Sequence, residues 1–471
     1  MLLLAAVPGL QAQTLTNLNH SAPDGAQIQF LLTDGTVLVQ GYQGQDWWKL
    51  TPDNTGSYVN GTWTQVASLA SNYDPDAFAS QVLADGRVLI EGGEYNFGNF
   101  DLTNLGAVYD PAANTWTNLN PPTGWGYIGD SPSTIMPNGH FVIGDKLNMD
   151  MADLDPSTMT WTAISSSGKS DWNAEEGWTL MPGAEGEVLT ADVLNNPNSE
   201  HYLYNEQRWL SDGSTIANLQ GPPEEGCIPY GGGTYCPPGE IGPAILRPNG
   251  TVFATGATHQ GAQEGHTSVY TPGATPDDPG SWAPGPDFQN GDDAGDNFAV
   301  LLTNGNVLVE GNSGRLYEYN GTTFTPTLNT FGNPLIVLPT GQVLVGGSQV
   351  YTSSGGGLQV WDPIVTIAPS TVTPGQTYRV IGRLFNGWSQ AASFGDEFET
   401  ATNYPLVQIK NNATGHVFYA KTHNHSTMAV QTKAVPTYTY FDVPSGIETG
   451  ASTLYVVVNG LKSNGVSLTV N

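Results

Sequence analysis

The sequence predicts an all-β protein, a seven-bladed β-propeller followed by a small immunoglobulin-like β-sandwich. A hairpin pattern that recurs seven times before residue 350, with a second pair of strands after most copies, predicts the propeller. From Pro363 onward the repeat is replaced by short alternating strands with turn signals, which predict the sandwich. We therefore expect the propeller to span residues 14–362 and the sandwich to span residues 363–471.

Each repeat consists of an apolar strand, a tight turn and a second apolar strand, as in LLTDGTVLVQG and VLADGRVLIEGG. Asp-Gly or Asn-Gly between β-branched runs is a strong hairpin signal, because the turn needs residues with positive φ. Four strands in roughly 50 residues match the kelch-type blade better than shorter repeat units. The turn glycines of the seven copies are Gly35, Gly86, Gly139, Gly186, Gly250, Gly305 and Gly341.

The last copy is incomplete, since it supplies three strands and stops at Asp362. The N-terminal stretch QTLTNLNH is similar to the outer strand NTWTNLNP of an earlier repeat. We expect this N-terminal strand to complete the last blade and close the ring, which would leave no open sheet edge. The third strand of that blade ends on the face with the tight turns, so the C-terminal domain should dock on that face.

Charge excludes several classes of partner. The chain has 43 Asp and Glu against 13 Lys and Arg, a net charge of −30 that repels nucleic acid and anionic lipid surfaces. The opening MLLLAAVPGLQAQ, residues 1–13, resembles the remains of a secretory signal, and no later run predicts a membrane span. We expect a secreted protein, extracellular or periplasmic; the oligomeric state stays open.

Cys227 and Cys236 are the two cysteines, and they bound a short segment rich in Gly and Pro. In an oxidising compartment this arrangement predicts a disulfide, which would contribute about 2–3 kcal/mol by restricting the unfolded chain.

Carboxylates precede six of the turn glycines by nine to eleven residues. At the start of the innermost strands they would line the mouth of the central channel. One interpretation is that they accept hydrogen bonds from backbone amides; the other is a site for a polar ligand or a divalent cation, such as Ca²⁺, Mn²⁺ or Zn²⁺. The six acids are Asp24, Asp76, Asp130, Glu176, Glu240 and Asp296.

Aromatic residues stand beside these acids. Trp125, Tyr127 and Trp172 could stack on sugar rings, although packing within the blades is the alternative. The stretch AKTHNHSTMAV, residues 420–430, adds His423 and His425 as candidate metal ligands, with a hydrogen-bonded turn as the alternative.

These motifs give the chain a resemblance to the galactose oxidase and glyoxal oxidase group of copper radical oxidases. That family joins a seven-bladed kelch propeller to a C-terminal sandwich, and a hairpin of the sandwich passes through the channel with a copper-ligating histidine after a threonine. Thr422-His423 stands at the matching place. The resemblance thus implies a metal-binding role for His423.

The remaining copper-site residues of the family do not match. Phe331-Gly332 stands where the family has a Tyr-His pair of ligands, and Ala79 stands at about the position of the cysteine that is cross-linked to a tyrosine, for which Tyr109 is the candidate. We therefore expect the scaffold without the usual copper radical site. An insertion at residues 388–405, which contains Asp396, Glu397 and Glu399, has no counterpart in the family.

Three hypotheses about function follow. The first is a secreted protein that binds carbohydrate or another extracellular polymer. The second is a metal-dependent carbohydrate-active enzyme, an oxidase, lyase or hydrolase, in which His423 meets channel carboxylates and Glu176 or Glu240 acts as acid or base. The third is a structural module of an extracellular matrix or surface assembly.

Overall fold

A computed structural model describes residues 12–42, 44–222, 228–230, 233–236, 239–257, 265–330, 334–393 and 399–471. These residues form strands and a single short 3₁₀ helix, Gln359–Trp361, so the predicted all-β class is confirmed. No helix in the described part of the chain is long and apolar enough to cross a membrane.

Seven consecutive sheets account for most of the first 362 residues; six have four strands and the sixth in chain order has five. The first three sheets comprise Ile28–Leu31, Val37–Gln40, Trp47–Thr51 and Thr62–Gln65; then Ala79–Val82, Val88–Glu91, Gly106–Asp110 and Thr115–Leu119; then Ser133–Ile135, Phe141–Gly144, Met151–Asp155 and Thr160–Ile164. The fourth and fifth comprise Thr179–Leu180, Glu187–Ala191, Asn198–Leu203 and Arg208–Ser214; then Ala244–Leu246, Val252–Thr255, Thr267–Thr271 and Ser281–Pro284. The sixth and seventh comprise Ala299–Leu301, Val307–Glu310, Arg315–Tyr319, Phe324–Asn329 and Ala392–Ser393; then Leu335–Val337, Val343–Val345, Gln349–Thr352 and Thr14–Asn17.

The first strands of these sheets form a closed series. Each contacts the first strand of the next sheet, and Leu335–Val337 of the seventh sheet contacts Ile28–Leu31 of the first. The strand Thr14–Asn17 pairs antiparallel with Gln349–Thr352, so the beginning of the described chain supplies the outer strand of the seventh sheet. Four-stranded antiparallel sheets around a common axis are consistent with a β-propeller.

The tight turns between first and second strands all lie at one end of this ring. In the first sheet the amide of Gly35, with φ of 77°, donates to the carbonyl of Leu32 at 2.9 Å, and the amide of Leu32 donates to the carbonyl of Thr36 at 2.8 Å. Positive φ costs glycine little, which explains its recurrence at this position. We call this end the turn face and the opposite end the loop face.

Many blade aromatics are packing residues. A tyrosine of the third strand lies 5.1 Å, ring centre to ring centre, from a tryptophan of the fourth strand in three sheets. The pairs are Tyr109 with Trp116, Tyr202 with Trp209, and Tyr270 with Trp282. Their tilted rings fill the outer half of each sheet and contribute to stability.

Residues 364–470 form one nine-stranded sheet system with its own apolar core. Its strands are Ile364–Ile367, Thr371–Val372, Thr377–Arg383, Leu406–Asn411, Val417–His423, Thr437–Asp442, Gly450–Val458, Leu461–Lys462 and Val466–Val470. This region contacts the turn face, as the chain direction predicts. The remaining strands form two small sheets, Pro75–Asp76 with Tyr95–Asn96 and Asn99–Phe100, and Ile228–Tyr230 with Gly233–Tyr235.

Candidate functional site

The segment that enters the ring belongs to the insertion at residues 388–405; its described parts, residues 388–393 and 399–404, are called the channel hairpin. Ser393 pairs antiparallel with Ala299, and Ala392 pairs with Val300, on the inner edge of the sixth sheet. The same two-residue strand contacts the first strands of the fifth and seventh sheets. Since first strands run from the loop face to the turn face, antiparallel pairing directs Ala392 and Ser393 toward the loop face.

The chain returns along the same path, because the amide of Thr402 donates to the carbonyl of Gln390 at 2.7 Å. The amide side chain of Gln390 donates to the Thr134 hydroxyl of the third sheet at 2.8 Å, and the Tyr404 hydroxyl donates to the carbonyl of Leu31 in the first sheet. Glu399 is buried as well. This channel hairpin therefore fills the axis of the ring. Asp396 and Glu397 lie outside the described residues.

Residues 420–430 instead cross the turn face. The amides of Thr422, Asn424 and Met428 donate to the carbonyls of turn residues in the first, second and third sheets, at 2.9–3.0 Å. The acceptors are Thr33, Ala84 and Pro137. This stretch thus anchors the C-terminal region and does not pass through the channel.

Both histidines of that stretch have local partners. Nε2 of His423 lies 3.3 Å from a carboxylate oxygen of Asp442, and Nδ1 of His425 lies 2.9 Å from the Thr439 hydroxyl. Burial, and secondarily the charge of His423, lowers the pKa of His425 to about 3. The structure therefore does not bring these imidazoles to the predicted carboxylates of the loop face.

The six predicted acids occupy three kinds of environment. Asp76 and Asp296 are exposed, whereas Asp24 and Glu240 are half-buried. Asp24 accepts a hydrogen bond from the indole N–H of Trp48 at 2.7 Å. Asp130 and Glu176 are completely buried, each in an ion pair with a lysine. Cys227 lies outside the described residues, so its disulfide with Cys236 stays a prediction.

Lys169 is the centre of a buried group of four carboxylates, which we call the Lys169 centre. Its Nζ lies 2.6 Å from Glu200, 2.8 Å from Glu176 and 3.1 Å from Asp171, and Asp192 completes the group. All five side chains are almost inaccessible to solvent. The arrangement places one ammonium among four acids inside the fourth sheet.

Burial is the largest influence on the pKa values of this centre. Burial, reinforced by Asp171 and Glu200, raises the pKa of Asp192 to about 7. The pKa of Glu176 is also raised by burial, although Lys169 opposes that shift. Burial would lower the pKa of Lys169, but the carboxylates, first Glu176, raise it above its ordinary value. The centre therefore combines an ammonium with buried carboxyl groups, of which Asp192 has a pKa raised to about 7.

The Lys169 centre also bears on the predicted cation. Ligand oxygens of its four carboxylates lie within 4.8 Å of one another, an oxygen-only set that suits Ca²⁺ or Mn²⁺ better than Zn²⁺ or copper. The ammonium of Lys169 already supplies a positive charge among them. A divalent ion could enter only if that side chain left.

A second buried lysine lies in the adjacent third sheet. Nζ of Lys146 pairs with Asp130 and lies 2.5 Å from Glu175. Residues 169–176, KSDWNAEE, supply acids to both lysines. The sequence analysis did not identify Lys146 and Lys169 as site residues. Their positions were the available signal, because the chain has only 13 basic residues and these two lie in acid-rich loops.

The loop face also carries exposed aromatics around the small three-stranded sheet. Asp76 pairs across this sheet with Tyr95, whose ring lies 5.9 Å from that of Phe100. The amide of Phe97 donates to the carbonyl of Asp74 at 2.9 Å. The amide side chain of Gln40, at the end of the second strand of the first sheet, donates to the carbonyl of Pro75 at 2.9 Å. We call Asp74, Asp76, Tyr95, Phe97 and Phe100 the aromatic–acid patch.

Phe97 is one of sixteen non-glycine residues with positive φ in the described part of the chain. It lies at the tip of the hairpin with φ of 53°, followed by Gly98 with φ of 67°, and 47% of its surface is exposed. A bulky side chain in the left-handed region costs roughly 1–2 kcal/mol, and a turn of this kind prefers Asn. Packing inside the protein does not offset this cost, since the ring remains half exposed.

The predicted aromatics lie next to this patch. Trp172 and Phe100 pack together against Leu102 and Leu147, so Trp172 supports the surface from below. Tyr127 is 45% exposed and extends it. Trp125 is half-buried and packs on the apolar core.

Comparison with known proteins identifies the fold. No family model and no curated protein matches the chain. A fungal alcohol oxidase of the AA5 family, solved in complex with copper, shares 12% identity and a TM-score of 0.52, over 97% of this chain and 98% of its own.

Two propeller lyases are also similar. Streptogramin B lyase shares 11% identity and a TM-score of 0.47, over 73% of this chain and 98% of its own. Virginiamycin B lyase from Staphylococcus aureus shares 8% identity and a TM-score of 0.44, over 72% and 97%. The match to the alcohol oxidase, at 12% identity, bears on architecture alone: the chain has a galactose oxidase-like propeller fold.

Proposed function

We propose that this protein is exported and binds carbohydrate or another extracellular polymer through the aromatic–acid patch. In this proposal residues 1–13 are the remains of a secretory signal. Residues 14–362 form a seven-bladed kelch propeller, and residues 363–471 form an immunoglobulin-like sandwich that covers its turn face.

The exposed, left-handed Phe97 is the observation that carries the proposal. Positive φ at this position closes the turn between Tyr95–Asn96 and Asn99–Phe100, and Asn would adopt it at lower cost, so an exposed aromatic side chain here is kept at some expense in stability. Flat rings bind the apolar faces of sugar rings, and Tyr95 and Phe100 flank the turn that carries Phe97, with their ring centres 5.9 Å apart. A polymer lying on this face would contact several rings at once.

The copper-site candidates of the described chain support binding rather than radical oxidation. Tyr109 is 1% exposed, donates to Asn114 at 2.9 Å and lies on Trp116 within the second sheet. His423 lies at the turn face, against Asp442. Each of these side chains is bonded to a partner of its own, which favours structural roles over a shared radical centre. Phe331 and Gly332 lie outside the described residues.

The hypothesis of a metal-dependent enzyme has weaker support. It requires His423 to act with Glu176 or Glu240. Glu176 is inaccessible and paired with Lys169 on the loop side of the ring, whereas His423 lies on the turn face. An acid/base pair must lie within hydrogen-bond reach of one substrate.

Phe97→Asn tests the proposed binding. Asn tolerates the left-handed conformation, so the melting temperature should stay unchanged or rise, while retention on insoluble cellulose, chitin or deacetylated chitin should fall. Sedimentation with each polysaccharide measures retention, and thermal denaturation measures stability.

Val435→Asn is the matched control, because Val435 is 61% exposed and lies in the C-terminal region. It should leave retention unaltered. If wild type is retained by none of the three polysaccharides, or if Phe97→Asn is retained as well as wild type, the proposed function is wrong.

A further inference from the structure

We propose that the polymer bound by the aromatic–acid patch is cationic, a polysaccharide of amino sugars with free amino groups. This inference rests on the proposed binding function and specifies its ligand. It follows from the charges that surround the exposed rings.

The segments that build and border the patch contain acids and no bases. Residues 41–48, 71–78, 93–105 and 121–131 hold six Asp and Glu and no Lys or Arg. Two of these acids are buried, Glu94 and Asp130, and the other four are exposed or half-buried. The nearby Lys146 and Lys169 are completely buried in ion pairs, so they offer no positive surface. An anionic polymer would be repelled here, whereas ammonium groups would be attracted.

Two carboxylates of the patch lie close enough to repel each other. The pKa of Asp74 is raised by burial and by the charge of Asp76. Asp76 is exposed, and its backbone pairs with that of Tyr95. An ammonium bound between these carboxylates would relieve the repulsion and place the attached sugar ring beside the aromatic rings.

The rings and the acids suit one ligand together. Aromatic faces attract cations within about 6 Å of the ring centre, as well as the apolar faces of sugars. A neutral polysaccharide would use the rings and leave the carboxylates without partners. A flexible polyamine would use the acids and gain little from flat rings. An amino-sugar polymer uses both kinds of side chain.

Isothermal titration with two oligomers of equal length tests this inference. The probes are a glucosamine hexamer and its fully N-acetylated counterpart, at mildly acidic pH where the amines are charged. We expect the glucosamine hexamer to bind about fivefold more tightly at low salt, the size expected from two exposed ion pairs. Raising the salt to about 0.5 M should remove that preference.

The preference for the glucosamine hexamer should fall in Asp76→Asn, and it should fall further when Asp74→Asn is added. Glu185→Gln with Glu206→Gln changes the net charge equally at exposed acids near the turn face, and should leave the preference intact. Phe97→Asn should weaken binding of both hexamers.

Three outcomes would overturn the inference and leave the proposed function standing. They are equal binding of the two hexamers, tighter binding of the acetylated hexamer, and a preference for the glucosamine hexamer that the Asp variants do not change. If neither hexamer binds, the inference is overturned, and the polysaccharide sedimentation decides the proposed function separately.

Discussion

The ring and the C-terminal region differ sharply in charge. Residues 363–471 hold six Lys and Arg and five Asp and Glu, a net charge of +1, so the first 362 residues hold seven and 38, a net charge of −31. The acidity is therefore confined to the ring. Because the C-terminal region covers the turn face, the exposed acidic end of the molecule is the loop face.

Three sheets of the ring end their second strand with a buried Gln or Glu, and in two of them this residue is a glutamate without a counter-charge in the described part of the chain. Gln40, Glu91 and Glu310 end the second strands of three sheets, in VLVQG, VLIEG and VLVEG. Among the described residues neither carboxylate oxygen of Glu91 has a hydrogen-bond partner. Burial raises the pKa of Glu91 well above its ordinary value and that of Glu310 to about 8. The formal net charge thus overstates the charge of the folded ring.

Lys169→Met should have the largest effect on the ring. It leaves four buried carboxylates without their ammonium, and breaking a buried ion pair in this way typically costs about 3–5 kcal/mol. The midpoint of urea unfolding, followed by tryptophan fluorescence, should fall accordingly. Lys410→Met, at an exposed lysine of the C-terminal region, is the control and should change the midpoint little. Equal midpoints for the two variants would show that the Lys169 centre contributes nothing.

The pH dependence of stability should follow the buried acids. Between the ordinary pKa of 4.5 and the folded value of about 8, folded Glu310 holds a proton that the unfolded chain releases. Folded Asp192 likewise holds a proton between its ordinary pKa of 3.8 and its folded pKa of about 7. Since the folded state binds more protons, stability is greatest at the acidic end of these windows and falls as pH rises through them. The melting temperature should decrease from about pH 5 to about pH 8.

Glu310→Gln isolates one of these contributions. At about pH 8 it should raise the free energy of unfolding by a few kcal/mol, as each pKa unit corresponds to about 1.4 kcal/mol. Well below the ordinary pKa of 4.5 the gain should vanish, because the Glu310 carboxyl is then protonated in both the folded and the unfolded state. Gln40→Glu, at the equivalent position of the first sheet, should lower the free energy of unfolding at about pH 8. A gain from Glu310→Gln that does not vary with pH would exclude titration as its cause.

His423→Ala should have the smallest effect. Its partner Asp442 is nearly half exposed, and such pairs contribute about 0–1 kcal/mol. Calorimetry should show a shift of a few degrees at most. Mass spectrometry of metals should give equal content in wild type and variant; metal that disappears with His423 would restore the enzyme hypothesis.

The sequence predicted the strands of the seven sheets, but it did not predict which segment lies in the channel. Turn glycines and alternating apolar strands are local signals, so the hairpins of all seven sheets could be found from short windows. The channel hairpin depends on pairing of Ala392 and Ser393 with residues more than ninety positions earlier, and two small residues carry no local pattern for that pairing. The family resemblance instead implied that residues 420–430 pass through the channel.

The candidate site shows the same limit. Acids at the starts of first strands were found by spacing, but the partner of Asp130 is a lysine from another loop, and that of Glu176 is a lysine seven residues earlier in its own loop. Spacing alone could not separate a buried ion pair from an exposed acid such as Asp76. The left-handed Phe97 had a signal in the tetrapeptide NFGN, where a turn glycine follows an aromatic residue in place of Asn.

The channel hairpin has a consequence for how the protein is made. Its strand is translated after all seven sheets, yet it lies on the axis that those sheets surround, and the outer strand of the seventh sheet comes from the N-terminus. Contacts between such distant positions form slowly, because long loops must close first. A chain emerging from a ribosome or a secretion channel therefore cannot fill the axis of its ring until residues past 404 are available, so the last step of folding should be post-translational.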